Sequence, residues 1–254
     1  MLTPIKKWLS EDEVNKIYSS EYWNNLEEEK KKEWWIVDGN YQRCLNYLQK
    51  SGLMDEYNDA EIFISAIPQT RLKIADLAAG IGWTSALLSK LENVAEIHAV
   101  EISEHRLGDL FVESIKMMQG DENKIHRYIG SFYDLKFDDE SLDVVFLSQA
   151  FHHADRPLNL LVECDRVLKP GGSLVLIGEH YFTFFKIIRG FMRSVIKQGK
   201  FQTKFHKLFP TDHDLGDHYY SISDYDFMFR SMGYKMDVKI AKTGKAMFLC
   251  KKQF

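Results

Sequence analysis

With 254 residues, 45% of them apolar, the chain can bury a substantial core as one large domain or as one domain with appendages. Its 33 lysines and arginines stand against 37 acidic residues, and the net charge of −4 argues against general affinity for nucleic acid. Cys44, Cys164 and Cys250 are odd in number and far apart, which excludes a disulfide framework or a zinc pattern and points to idle thiols in a reducing compartment.

The opening residues MLTPIKKWLSEDE contain no apolar h-region, and no stretch approaches the length of a membrane span, so a cytoplasmic location is expected. Residues 1–70 read as a helical cap. Within LEEEKKKEWW, Glu27 and Lys31, like Glu28 and Lys32, are four residues apart in the favourable order, as on a solvated helix face. Tyr41, Cys44, Leu45 and Leu48 then recur at helical spacing and are expected to face a core.

From residue 71 to 254 strand and helix patterns alternate, the signature of a doubly wound, mostly parallel α/β sheet. The first strand ends in IADLAAGIGWTS, residues 74–85. Asp76 closes it, Gly80 and Gly82 permit a sharp turn and close approach of a ligand, and a helix begins near Trp83. A plain strand-to-helix turn without a ligand has the same look. Further strands are expected at 94–100 (VAEIHAV, ending at Glu101), 125–129, 142–148 and 173–178. Between them, Ser103 is placed to cap a helix carrying Leu107, Leu110, Phe111, Ile115 and Met118. A second helix starts at Pro157, carries Leu158, Leu161 and Val162, and stops before the Pro170-Gly171-Gly172 turn. Ser223 is expected to cap a helix through Phe229. Two strands, 234–240 and 246–250, pair antiparallel because the link between them is so short.

Glu101 follows the glycine turn by about twenty residues, a spacing at which a carboxylate can accept ribose hydroxyls. A solvated strand-end acid is the plainer alternative. Gly80-Ile81-Gly82-Trp83-Thr84-Ser85 also comes close to the dinucleotide pattern GxGxxG, which makes a nicotinamide-dependent oxidoreductase a rival.

Four ordered motifs, ADLAAGIG, HAVEIS, GSFYDLKFDDESLDVVFLSQAFHH and RVLKPGGSLVLIGE, give residues 72–179 a resemblance to a known family. The stretch resembles the class I S-adenosylmethionine-dependent methyltransferases, in particular the small-molecule branch that includes the ubiquinone and menaquinone methyltransferases. The resemblance implies a Rossmann-like methyltransferase fold with S-adenosyl-L-methionine as cofactor. It also implies that Asp76, Ala78 and Gly80 line the methionine and ribose end, that Glu101 holds the ribose, that Ser131 and Phe132 border adenine, and that Ser148 and Gln149 face the sulfonium. The sequence departs from the family at Ala78, which replaces a glycine, and at Ser131, which replaces an aspartate.

Methyl transfer to a hydroxyl needs a base, and His152, His180 and His218 are the candidates, with His153 and Glu179 beside them. Residues 181–210 are apolar and carry Lys186, Arg189, Arg193, Lys197, Lys200, Lys204 and Lys207 without an acid. They read as a helical lid over the acceptor, a partner or dimer surface, or an attachment to an anionic membrane carrying a lipid-linked acceptor. The substrate insertion is expected to span about 181–218. In TDHDLGDHYY, residues 211–220, Asp212, His213, Asp214, Asp217 and His218 could bind a divalent metal, although Gly216 favours a polar turn, and no metal site is assigned. The expected activity is methyl transfer to a small molecule, an oxygen of a sugar or secondary metabolite being slightly preferred. A non-catalytic cofactor-binding or scaffold protein is the rival from another class.

Overall fold

Side chains along a strand point alternately to the two faces of a sheet, and the central strands here bury both sets. The computed structural model describes residues 2–10, 12–13, 39–198 and 217–254. Lys6–Lys7 (β1), Leu72–Leu77 (β2), Val94–Glu101 (β3), Ile125–Ile129 (β4), Leu142–Ser148 (β5) and Leu168–Glu179 (β6) enter one sheet. Tyr181–Phe182 (β7) and Tyr220–Ser221 (β8) form a separate parallel ribbon. Tyr234–Ile240 (β9) and Ala246–Lys252 (β10) complete the large sheet, whose order is β1-β4-β3-β2-β5-β6-β10-β9. All of its pairings are parallel except those of β10 with β6 and β9. The chain winds outward from β2 through β3 to β4, then crosses back to β5. The carboxyl ends of β2 and β5 therefore flank a topological switch point, where ligands of such sheets bind.

Helices Tyr41–Lys50 (α1), Leu53–Ser65 (α2), Trp83–Leu88 (α3), Phe111–Met118 (α4), Pro157–Val167 (α5), Phe184–Gln198 (α6) and Ile222–Ser231 (α7) surround the sheet. On one face Ile74, Val144, Phe146 and Ile177 meet Leu48, Tyr57 and Ile64 from the first two helices and Phe111 and Ile115 from α4. On the other, Leu77, Val145, Leu147 and Leu176 meet Leu161 and Cys164 of α5 and Tyr225 and Phe229 of α7.

Several elements differ from the sequence expectation. Lys6–Lys7 is not helical: it pairs in parallel with β4 at the sheet edge, and the Trp8 ring packs on Tyr128 and Phe137. Tyr41 is exposed, whereas Cys44 and Leu48 are buried. Helix α5 buries Leu160, Leu161, Cys164 and Val167, leaving Leu158 and Val162 in solvent. Pro170-Gly171-Gly172 is a bulge inside β6, because Leu168 already pairs with Leu142. Ser221, not Ser223, caps α7, in a reciprocal box with Asp224. Ser103 accepts from the Arg106 N–H as expected, but the helix it opens has a π turn over Arg106–Leu110 before α4. The Glu27 and Glu28 pairs, Lys200, Lys204, Lys207, Asp212, His213, Asp214 and Gly216 lie outside the described residues, as does the side chain of Lys197.

Candidate active site

The chain leaves β2 through three residues with positive φ, Ala78 at 51°, Gly80 at 54° and Gly82 at 78°. Asp76 fastens the far side of this turn: its Oδ2 accepts from Thr84 Oγ1 at 2.7 Å and Ser85 Oγ at 2.6 Å, pinning the first turn of α3. Burial pushes the Asp76 carboxyl up to about 6 against the pull of those two hydroxyls. Its Oδ1 is buried without a hydrogen-bond partner among the described residues.

Glu101, at the end of β3, closes the near side. Its Oε2 accepts from the Gly80 N–H at 2.7 Å, and its Oε1 from the N–H groups of Ile102 at 2.8 Å and Ser103 at 2.9 Å. A carboxylate offers about four acceptor positions, so roughly one remains for a ligand. A Cβ built on Gly80 would meet only the Ala78 carbonyl, at 3.9 Å, so the glycine faces open space.

That space is a cleft of about 690 Å³. Ala78, Gly80, Glu101, Ser131 and Phe132 line it from the loops after β2, β3 and β4; Ser148, Gln149, His152, His153 and His180 line it from those after β5 and β6, and Asp217 joins them. Ser148 Oγ is buried with no partner among the described residues, a polar group suited to a ligand atom. Ser131 Oγ already accepts from the Tyr133 N–H at 3.2 Å.

A histidine cluster occupies the β5–β6 side. The fully buried Glu179 accepts from the N–H groups of Ala150, Phe151 and His152 at 3.0–3.2 Å and from His152 Nδ1 at 2.9 Å. Burial would raise the Glu179 carboxyl, but the His152 imidazole and the backbone donors outweigh it and hold it below the ordinary carboxylate range. An ionised Glu179 only accepts, so His152 Nδ1 carries the proton of this hydrogen bond. The His180 ring stands at 86° to that of His152, centroids 4.3 Å apart, and burial, with His152 and Lys245 nearby, pushes it down to about 4. His180 is therefore neutral at pH 7. One ligand atom each from His152, His153 and Asp217 lies within 4.8 Å of the others, near enough to share an acceptor hydroxyl or a divalent cation.

Most of the residues singled out in the sequence meet in this cleft, but Asp76 and His218 do not line it. Asp76 is fully buried behind the turn, on the Thr84 and Ser85 hydroxyls. His218 directs its Nε2 to Asp155 Oδ1 at 3.2 Å, while its backbone N–H donates to the His152 carbonyl at 2.8 Å. Tyr47, Trp83, Arg106 and Tyr133 line the cleft unforeseen. Tyr47 comes from α1, whose polar face gives no sign in the sequence of the cavity it borders.

Residues 75–176 match the methyltransferase domain family. In this match and in its ordered motifs the region is similar to the class I S-adenosylmethionine-dependent methyltransferases. The chain is 30% identical over 130 residues to the demethylmenaquinone methyltransferase of Bacillus subtilis, covering 47% of this chain and 54% of that one. Over 102 residues it is 32% identical to the malonyl-[acyl-carrier protein] O-methyltransferase of Methylococcus capsulatus, covering 40% and 35%. The chain thus spans about half or less of the length of these curated relatives. Among solved structures, a Haloferax volcanii chain from a complex with a methyltransferase activator superposes with a TM-score of 0.58 at 16% identity, over 86% of this chain and 96% of that one, a likeness of fold. Gly80 leaves room for close backbone approach, and Glu101 retains roughly one acceptor position beside it.

Proposed function

We propose that the chain moves a methyl group from S-adenosyl-L-methionine to a small-molecule acceptor, with a hydroxyl oxygen of a sugar or secondary metabolite preferred. The observation that carries this reading is that one cleft holds both the Gly80–Glu101 seat and the Glu179-anchored His152. S-adenosylmethionine supplies an electrophilic methyl group on a sulfonium. The chain's own residues hold the acceptor behind that methyl, keep water out and take the acceptor's proton. Nε2 of His152 takes the proton, and Glu179 steadies the resulting imidazolium through Nδ1. His180, being neutral, accepts a hydrogen bond without adding positive charge beside it. Ser148 and Gln149 lie between the two sets of residues in the chain order of the sheet, where the sulfonium and acceptor meet.

The curated relatives are named for chemically different acceptors, demethylmenaquinone and malonyl-acyl carrier protein, so the preference for oxygen rests on the histidine cluster. Calorimetry with S-adenosylmethionine followed by a labelled-methyl screen of pooled metabolites tests the proposal. Label in a hydroxylated acceptor supports it. Tight binding with no label in any pool favours a non-catalytic cofactor-binding protein.

A further inference from the structure

Helix α6 contributes no residue to the cleft lining, although its sequence is apolar on one side and basic on the other. At 100° per residue, Phe184, Phe185, Ile188, Met192, Val195 and Ile196 fall within an arc about 120° wide. All six are exposed, Phe185 by 80% and Ile196 by 78%. Arg189 and Arg193, also exposed, border that arc, and the helix contains no acidic residue. The remaining face, with Ile187, Gly190, Phe191 and Ser194, is half-buried. The helix is fixed at its start: Lys186 Nζ donates to the carbonyls of Tyr181 at 3.0 Å and Gly244 at 2.9 Å, and β7 pairs with β8.

We infer that α6 is a docking surface for an anionic membrane, with its apolar arc in the headgroup boundary and Arg189 and Arg193 on lipid phosphates. An apolar face of this size flanked by arginines is what interfacial helices present. The charge is complementary: a chain of net charge −4 is repelled by an anionic bilayer except where it displays a local basic edge. The same surface is too short and too basic to span a bilayer, and no described helix is long and apolar enough to cross one. Docking by α6 does not depend on which acceptor occupies the cleft.

Co-sedimentation of the full chain with vesicles tests the inference, using phosphatidylcholine alone and phosphatidylcholine mixed with phosphatidylglycerol. The chain is expected to pellet with the mixed vesicles, to stay in solution with phosphatidylcholine alone, and to be released by high salt. Each basic residue near an anionic surface strengthens binding about fivefold, so Arg189→Gln with Arg193→Gln weakens it by about tenfold or more. Phe185→Glu with Ile196→Glu abolishes pelleting while the thermal midpoint is unchanged, since both side chains are already in water. Failure to pellet with the mixed vesicles overturns the inference, as does equal pelleting by the variants. A dimer in ultracentrifugation that Phe185→Glu dissociates overturns it in favour of a second copy on this face.

Discussion

At the scale of single residues, the turn after β2 holds an alanine in a conformation that suits glycine. A left-handed φ of 51° costs an L-residue about 1 kcal/mol, so Ala78→Gly is expected to raise unfolding free energy by roughly that amount in urea melts. The cleft changes little, because the methyl group lost is small. Glu179 offers a sharper test of the chemistry. Replacing its carboxylate with an amide turns one acceptor into a donor facing the N–H groups of Ala150, Phe151 and His152. Glu179→Gln is therefore expected to lower kcat by about a hundredfold with cofactor affinity preserved, read by steady-state kinetics beside calorimetry. Unchanged kcat would remove the pair from proton transfer. Glu101, His152 and His180 were legible in the sequence because they stand at or shortly after the ends of strands. Asp217 and His218 are adjacent in an irregular loop, where no periodicity tells which of two neighbours faces the cavity, and the cleft takes Asp217.

At the scale of elements, the structure favours capping chemistry over proximity to the apolar stripe. Ser221 and Asp224 satisfy each other's backbone N–H groups, so Ser221→Ala should cost about 1 kcal/mol of stability while Ser223→Ala costs far less. Thermal melts of the two variants compare them directly. The helix and strand alternation from β2 to β10 was readable because buried parallel strands are near-continuous apolar runs and helices carry a 3.6-residue stripe. Lys6–Lys7 escaped because two exposed lysines carry neither signal; their pairing with β4 depends on the Trp8 ring, which packs beside Gly130. Helix α5 misled because Leu158 and Val162 are apolar residues on its solvent side.

At the scale of the whole molecule, burial sets the pH response. His98 and His180 are each pushed down to about 4 by burial, against 6.5 when free. Between those values the unfolded chain binds more protons than the folded one, so stability rises with pH across the window and is lost as pH falls toward 4. Asp76 acts in the opposite sense: its carboxyl, raised from 3.8 to about 6, makes the folded chain the better proton binder, so its contribution falls as pH rises. Two histidines outweigh one aspartate, and the urea midpoint is expected to be lower at about pH 4.5 than at about pH 7, with His98→Gln flattening the difference. A midpoint that rises on acidification would show that the buried carboxyl dominates.

The proposed nucleoside seat unites these scales, since Glu101 ties the turn after β2 to the end of β3 and retains roughly one acceptor position. Titration calorimetry of S-adenosylhomocysteine into the native chain and into Glu101→Ala measures it directly. Charge-assisted hydrogen bonds contribute about 1.5–3 kcal/mol each, so affinity should fall at least about tenfold in the variant. Equal affinity in the two proteins, or no heat from the native chain, would contradict the assignment of this cleft.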